Sequence, residues 1–377
     1  MAPTASATLL SPAELSYLHT SLSLNPPIRP DGRLPTQFRS LIAETDILPG
    51  TNGSARICFA DGTEAIAGVK AEVEKTPLQG APSNNEGAHL NAAQQDEEMD
   101  DIEEEGAALG KKGMGQNKWV DVTIEIPGYR DDDALPVFLS AMLSEALLAT
   151  RDLVDKLWIN TKWHWRLYID ILLLSPPLSY PIPLLSCTTH LALLSTNLPA
   201  LKSEGDEDPL FNDDWAASIP LYPLSSRFSS AKKTVNQAHA LPPVTLLIAA
   251  VGSNILFDPS QSELVVADAV LAISINSSSD PKSSTQLLSV RTVDPPSRLT
   301  PPGVLEADNP STSVGANSAV TTPAKKRADH EKETNGVWSP PRGGMKRPWV
   351  SRVLEIVLEK GGVGEDVLTG LGGFVGY

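Results

Sequence analysis

The chain has 377 residues, of which 41% are apolar, and it carries a formal net charge of -16 at pH 7. This length and apolar content predict a globular protein of about two domains. The acidic balance argues against a protein that binds nucleic acid through a broad basic surface. However, eight of the ten residues from 96 to 105 are Asp or Glu, a block that repels itself and buries no apolar surface. Any contact with nucleic acid would therefore need local basic positions or a partner.

Signals for export, membrane insertion and metal binding are missing from the sequence. Cys58 and Cys187 lie in apolar segments, which predicts buried thiols and a reducing compartment. The N-terminus lacks a basic region followed by an apolar core, and no apolar run reaches about 18 residues, so we expect neither a signal peptide nor a membrane span. The six histidines show no metal-ligand spacing and no Cys-x-x-Cys motif occurs, which predicts no metal site.

The first half of the chain mixes strands and helices. Ser11-Pro12-Ala13-Glu14 combines an N-cap hydroxyl, a first-turn proline and a capping-box glutamate, and predicts a short helix. Asp61-Gly62 is a hairpin signal. Further helices are predicted from Asp131 and over 184–198, the second one apolar nearly all round and hence buried. Strands are predicted at 38–44, 55–60, 63–73, 119–126, 157–159 and 163–174.

Two long polar stretches interrupt this pattern, and both are predicted to be disordered insertions: 76–117, rich in Gly, Asn, Gln and acid, and 277–345, dominated by Ser, Pro, Thr and charge. Between them, strands are predicted at 244–251, 255–257 and 264–275. A last helix is predicted over 348–360. The glycines of 361–364 superficially suggest a phosphate-binding loop, but because they follow a helix we favour a helix end and a flexible tail.

These patterns predict an α+β protein with two similar lobes. We expect an N-terminal helix at 1–25, a first domain at 26–200, a linker and irregular segment at 201–242, and a second domain at 243–377.

A run of charged and turn-forming residues, 28–39, stands between the first helix and the first strand. It reads Ile-Arg-Pro-Asp-Gly-Arg-Leu-Pro-Thr-Gln-Phe-Arg. This motif resembles the RNase PH family, and within it the ring subunits of the eukaryotic RNA exosome. A second specific match precedes the motif at 11–18. Individually weaker matches follow in the expected order at 52–56, 61–64, 68–72, 128–135, 168–172 and 251–259.

The resemblance implies an RNase PH-like (ribosomal protein S5 domain 2-like) fold, two pseudo-symmetric β-α lobes, and six subunits in a ring around an RNA channel. Active members of the family cleave RNA with phosphate, which binds at a Gly-Ser-Arg type turn, and use an Asp as general acid. This sequence has Ser175-Pro176-Pro177 where the acid is expected, and its helix entry Pro181-Ile182-Pro183-Leu184 lacks the Ser-Arg pair. We therefore expect no catalytic residues and no cofactor. An active phosphate-dependent 3′-to-5′ exoribonuclease is the alternative.

Candidate RNA contacts are few. Arg130, which flanks a helix start, is the first candidate, although pairing with the adjacent aspartates is an alternative. Lys162 and Arg166, with His164 between them, are a second set. The family motif residues Arg29, Asp31, Gly32 and Arg33 are expected to be structural. Asp170, placed in an apolar strand, is expected to be a satisfied structural carboxylate rather than a catalytic one.

The resemblance also implies partners and location. The partners are other RNase PH-type exosome subunits in a hetero-hexameric ring, cap subunits with RNA-binding domains, a hydrolytic exoribonuclease and RNA, with no membrane. The location is the nucleus, nucleolus and cytoplasm. Lys325-Lys326-Arg327 is a candidate import signal, but clusters this small also arise by chance.

Overall fold

The computed structural model describes residues 10–76, 115–176, 178–203, 205, 207–223, 241–277, 285–295, 297, 338–340 and 345–375. Most of the two predicted insertions, and the Lys325-Lys326-Arg327 cluster, lie outside the described residues.

The described chain forms seven helices and eleven strands. The helices are α1 (Pro12–Ser23), α2 (Ala134–Leu148), α3 (Asp152–Lys156), α4 (Ile182–Ser195), α5 (Gln261–Val266), α6 (Arg347–Leu358) and α7 (Val363–Gly372). The strands are β1 (Leu41–Thr45), β2 (Gly53–Phe59), β3 (Glu64–Lys75), β4 (Val120–Glu125), β5 (Trp163–Leu173), β6 (Asn197–Leu198), β7 (Ile219–Pro220), β8 (Val244–Val251), β9 (Asn254–Phe257), β10 (Ala269–Ser277) and β11 (Thr285–Val293).

The strands build two main sheets. The first has the order β1-β2-β3-β5-β4, antiparallel except for the parallel pair of β4 and β5. Helices α2 and α3 connect that pair, as a parallel pair requires a long crossover. The second sheet is antiparallel, with the order β11-β10-β8-β9. The short strands β6 and β7 pair separately.

Helix α4 forms the centre of the core between the two sheets. All of its residues are buried, and it packs on β2 and β3 of the first sheet and on β8 of the second. One continuous apolar cluster therefore spans both sheets. The prediction of a helix apolar on every side is confirmed, because a helix covered on opposite sides has no polar face.

Helix α1 packs on the second sheet. Leu15, Leu18 and Leu22 contact a small cluster that includes Val251 and Val266. Its predicted capping box is present, since Ser11 Oγ accepts from Glu14 N and the Glu14 carboxylate accepts from Ser11 N. The sequence signal for the helix start is confirmed.

The predicted hairpin is also confirmed, with one difference in its turn. Strands β2 and β3 pair in antiparallel register around Asp61-Gly62, and Gly62 adopts φ 84°. Asp61 does not need a positive φ. Its carboxylate instead accepts hydrogen bonds from the Thr63 N–H and hydroxyl.

Four predictions of local structure are wrong. Residues 157–159 hold one isolated bridge, Trp158 to His164, in place of a strand. The start of 264–275 belongs to helix α5, whose Ser260 and Glu263 form a capping box. Residues 285–293, assigned to a disordered insertion, form strand β11. The glycines after α6 lead into helix α7 and not into a flexible tail, because Leu368 and Leu371 give that helix a face to bury.

Candidate RNA contacts and the buried arginine network

Arg29 forms a buried ion pair with Glu263. Arg29 Nε donates to Glu263 Oε1 at 2.7 Å and Arg29 Nη2 donates to Glu263 Oε2 at 2.8 Å, and neither side chain is exposed. The guanidinium also donates to the carbonyl oxygens of Leu34, Phe257 and Asp258. Both carboxylate oxygens are thus paired with N–H groups, which offsets the cost of burying two charges.

Asp258 accepts from two further arginines at the end of β9. Arg33 Nη1 lies 3.0 Å from Asp258 Oδ2, and Arg39 Nη2 lies 2.7 Å from Asp258 Oδ1. Arg39 also pairs with Asp61 of the hairpin and donates to Ser179 Oγ at 2.9 Å. Burial alone would lower the pKa of Arg39, but the bonds to Asp258 and Asp61 outweigh it and raise the pKa above its ordinary value.

Asp31 and Gly32 shape the turn that carries these arginines. Gly32 adopts φ 73°, a conformation that glycine tolerates best. The Asp31 carboxylate accepts from Arg33 N at 3.1 Å and Arg33 Nε at 2.6 Å. Partial burial alone would raise the pKa of Asp31, but the bonds from Arg33 and the charges of Arg33 and Arg29 hold it below its ordinary value.

This arginine network, Arg29, Arg33 and Arg39 with their carboxylates, joins four parts of the fold. It ties the segment after α1 to the end of β9, to α5 and to the β2–β3 hairpin. All three guanidinium groups are engaged by carboxylates, so their charges are already neutralised in place.

A cavity of about 510 Å³ lies beside the network at the start of α4. Its walls include Phe38, Phe59 and Cys187, and burial raises the pKa of the Cys187 thiol to about 12. Arg39 contributes a cation to the wall, but Asp258 in the same wall holds it. Helix α4 begins at Ile182 after the N-cap Pro181, which makes no side-chain cap hydrogen bond, and Pro183 lacks the N–H that an anion at this helix end would use.

Asp170 lies on the exposed face of β5, so its position in an apolar strand does not bury the carboxylate. Strand alternation places Ile169 and Ile171 in the core and turns Asp170 to solvent, where Thr123 Oγ1 of the neighbouring strand donates to it. No group of three His, Cys, Asp or Glu side chains in the described ranges has a geometry that suits a metal ion.

The candidate RNA contacts do not form one patch. Arg130 follows the end of β4, where Glu125 pairs with Leu172, whereas Arg166 lies six residues earlier in β5. Six strand residues span about 20 Å, so the two arginines lie toward opposite ends of the sheet. The Arg130 side chain is 81% exposed and pairs with Asp132 at 3.0 Å, as the sequence allowed.

Lys162 and Arg166 differ in how freely they face solvent. Lys162 is exposed at the start of β5. Arg166 is paired with Glu74 at 3.4 Å and lies over the Tyr168 ring. His164 between them is buried and stacks on Trp119 with ring centroids 4.3 Å apart. Burial lowers the pKa of His164, so this imidazole is neutral near pH 7 and is not a basic contact.

Three residues of the network were missed by sequence reasoning: Arg39, Asp258 and Glu263. The sequence carried a signal for Glu263, because Ser260 and Glu263 have capping-box spacing ahead of an apolar run. No local signal pairs Glu263 with Arg29, which lies 234 residues earlier.

Among the helices that the structure describes, none is long and apolar enough to cross a membrane.

Comparison with known proteins identifies the family. No protein-family model matches the chain. Exosome complex component RRP42 of Saccharomyces cerevisiae is 31% identical over 271 residues, covering 70% of this chain and 81% of the relative. Exosome complex component rrp42 of Schizosaccharomyces pombe is 30% identical over 272 residues, covering 71% and 79%.

A solved structure of the Archaeoglobus fulgidus exosome, with RNA bound to the active site, is 17% identical with a TM-score of 0.45, covering 74% of this chain and 86% of that chain. The assignment to a family rests on the two yeast relatives, since each matches at about 30% identity over most of its own length. The chain belongs to the RRP42 family of exosome components, and its two sheets with packed helices agree with the predicted α+β class.

Proposed function

We propose that this chain is a non-catalytic structural subunit of the RNA exosome core ring. In that role it supports 3′-to-5′ RNA processing and degradation and lines the RNA channel. The two relatives, each named an exosome complex component, support the assignment. Its partners are other RNase PH-type subunits in a hetero-hexameric ring, cap subunits with RNA-binding domains, and a hydrolytic exoribonuclease that performs the cleavage.

The proposal of a non-catalytic subunit rests on one observation: the arginine near the start of α4 is already paired with carboxylates. Phosphorolysis needs free cations and backbone N–H groups to hold a phosphate dianion. Here Arg39 is bound by Asp258 and Asp61, and Pro183 removes one of the N–H groups of the helix start. Asp170, in turn, is exposed and bonded to Thr123. A structural role for the family motif follows from the same pairing.

In the presence of inorganic phosphate, the purified chain is expected neither to shorten 5′-labelled oligoadenylate on a gel nor to release nucleoside diphosphate detectable by chromatography. An active phosphorolytic RNase PH-type enzyme, assayed in parallel, serves as the positive control. Phosphate-dependent release that the Asp170→Ala change abolishes would make the chain the alternative, an active exoribonuclease.

Co-purification tests the ring. The tagged chain, isolated from its own cells, is expected to bring down the other RNase PH-type subunits, the cap subunits and the hydrolytic exoribonuclease, as identified by mass spectrometry. The same tag is expected in the nucleus, nucleolus and cytoplasm by microscopy. Recovery of the chain without any exosome subunit would contradict the ring assignment.

Arg130 is the RNA contact that we propose first, with Lys162 second and Arg166 third. The order follows exposure: the Arg130 side chain is 81% exposed and Lys162 is exposed, whereas the Arg166 side chain is 34% exposed. In the assembled ring, Arg130→Ala is expected to lower ultraviolet cross-linking to single-stranded RNA about two- to threefold, since one phosphate contact is lost. Arg56→Ala, an exposed arginine on the outer face of the first sheet, is the matched control. Equal losses of cross-linking in the two variants would contradict a specific contact between Arg130 and RNA in the channel.

A further inference from the structure

A second cavity, of about 340 Å³, opens between the segment that joins β6 and β7 and the residues around Trp158. Its walls are aromatic and aliphatic, with Trp158, Trp165, Phe211 and Ile219 among them. The Trp165 and Phe211 rings pack with their centroids 4.9 Å apart. The volume lies in the range of sites that take a small ligand or a few side chains.

Backbone hydrogen bonds hold this cavity in shape. Leu201 bridges to Phe211, and Lys202 N donates to Leu210 O at 2.7 Å. Asn160 also holds the loop between Lys202 and Leu210 in place, because its Nδ2 donates to Glu207 O at 3.0 Å. The backbone that lines the cavity is therefore fixed by hydrogen bonds within the fold.

Large apolar side chains of the β6–β7 segment are exposed, and two of them, Leu201 and Ile219, line the cavity. The exposed fractions are 64% for Leu210, 58% for Ile219, 52% for Trp215 and 43% for Leu201. Exposed apolar side chains at the wall of an apolar cavity are typical of a binding surface, and the segment 201–219 that carries them is termed the patch.

The rim of the patch is acidic. Glu207, Asp208, Asp213 and Asp214 are exposed in the same segment, against the single exposed cation of Lys202. Within the cavity wall, Lys156 Nζ lies 3.6 Å from the Tyr222 ring centroid and is buried beneath it. The potential at the surface is therefore negative, which repels RNA phosphates and attracts cations.

We propose that this acidic-rimmed cavity binds a peptide segment of a partner protein in which bulky apolar side chains are flanked by lysine or arginine. The apolar side chains of the peptide would fill the cavity beside Trp158 and Phe211, and its cations would face Glu207 and Asp213. Burial of the anchor supplies most of the affinity, while the charges supply orientation and speed of association. The proposal is independent of the role of the chain in a ring.

The test measures fluorescence anisotropy of a labelled nine-residue peptide, Leu-Phe-Leu flanked on each side by three lysines, titrated with the full chain. Leu201→Ser combined with Ile219→Ser is expected to weaken binding at least tenfold. The control is Ile42→Ser combined with Leu172→Ser, which removes two comparably exposed side chains from the first sheet and is expected to stay within twofold.

Charge reversal gives a second, independent comparison. Glu207→Lys with Asp213→Lys is expected to weaken binding at least threefold at low salt, and less at high salt. Glu125→Lys with Glu359→Lys changes the net charge equally at distant exposed positions and is the control. Circular dichroism confirms that each variant is folded.

Four outcomes would overturn the proposal. The first is no binding at millimolar peptide, and the second is equal weakening by the test and control variants. The third is displacement of the peptide by oligoadenylate, which would assign the surface to RNA. The fourth is a tenfold gain in affinity when Arg227, Lys232 and Lys233 are changed to Ser, which would make residues 224–240 of this chain the occupant.

Discussion

Replacing Glu263 with glutamine is expected to destabilise the chain by about 3–5 kcal/mol, the cost of leaving one partner of a buried ion pair alone. Arg29 would keep its full charge at a position where its side chain has no exposure, and its bidentate carboxylate partner would be gone. Urea-induced unfolding of the purified variant, followed by circular dichroism, measures the loss.

Two comparisons show whether burial causes this loss. Arg56→Ala breaks pairs with Glu44 and Glu64 at a side chain that is 42% exposed, and it is expected to destabilise the chain far less than Glu263→Gln, because solvent screens exposed ion pairs. Arg29→Met combined with Glu263→Leu removes both charges and is expected to recover only part of the loss, because the carbonyl oxygens that Arg29 satisfied would then lack donors. A loss for Glu263→Gln no larger than for Arg56→Ala would contradict the role of the pair.

The pairing of Arg29 with Glu263 could not be predicted from the sequence, whereas helix α4 could. Helix α4 is predictable because every residue of a segment that packs between two sheets is selected for burial, which leaves a local signal. The partner of Arg29 leaves no such signal, since it lies 234 residues away and depends on how α5 docks. The motif around Arg29 could be noticed from its resemblance to a family, but its geometry could not.

Strand β11 was missed for a different reason. Its side chains include Thr285, Leu287, Val290 and Val293, which suit a strand, but the polar composition on both sides dominates any long window. Its antiparallel pairing with β10 compensates for the weak local strand propensity. The pairing continues past an irregularity, since the register between the two strands shifts between Ser274 and Ile275. Tertiary pairing of this kind overrides the composition on which the prediction of disorder rested.

For the candidate RNA contacts, too, part of the geometry could be predicted from the sequence and part could not. Strand alternation in β5 could have shown that Asp170 and Arg166 share a face. His164 falls on the same face by this alternation, but it is buried because its ring stacks on Trp119. The separation of Arg130 from Arg166 could not be predicted, because it requires the parallel register of β4 on β5.

Lys156→Met is expected to stabilise the chain by about 2–3 kcal/mol at pH 7, an unusual direction for a substitution in a packed region. Lys156 Nζ is buried, and the described part of the chain offers it no hydrogen-bond acceptor. Burial lowers the pKa of Lys156 from 10.5 to about 8, against the opposing charge of Asp152. Methionine keeps much of the apolar stem and removes the charge, although it also loses the contact with the Tyr222 ring.

The pH dependence of this difference separates charge from packing. Between about pH 8 and pH 10.5 the unfolded chain holds the Lys156 proton and the folded chain does not, so the contribution of this group to stability rises with pH. Below pH 8 the full cost of the buried ammonium is present. The advantage of Lys156→Met over the parent chain should therefore be constant from pH 6 to 7.5 and shrink toward pH 10. Lys70→Met, at a side chain 58% exposed, should show no such trend. A Lys156→Met advantage that does not change with pH would place the effect in packing, since only the ammonium titrates in this range.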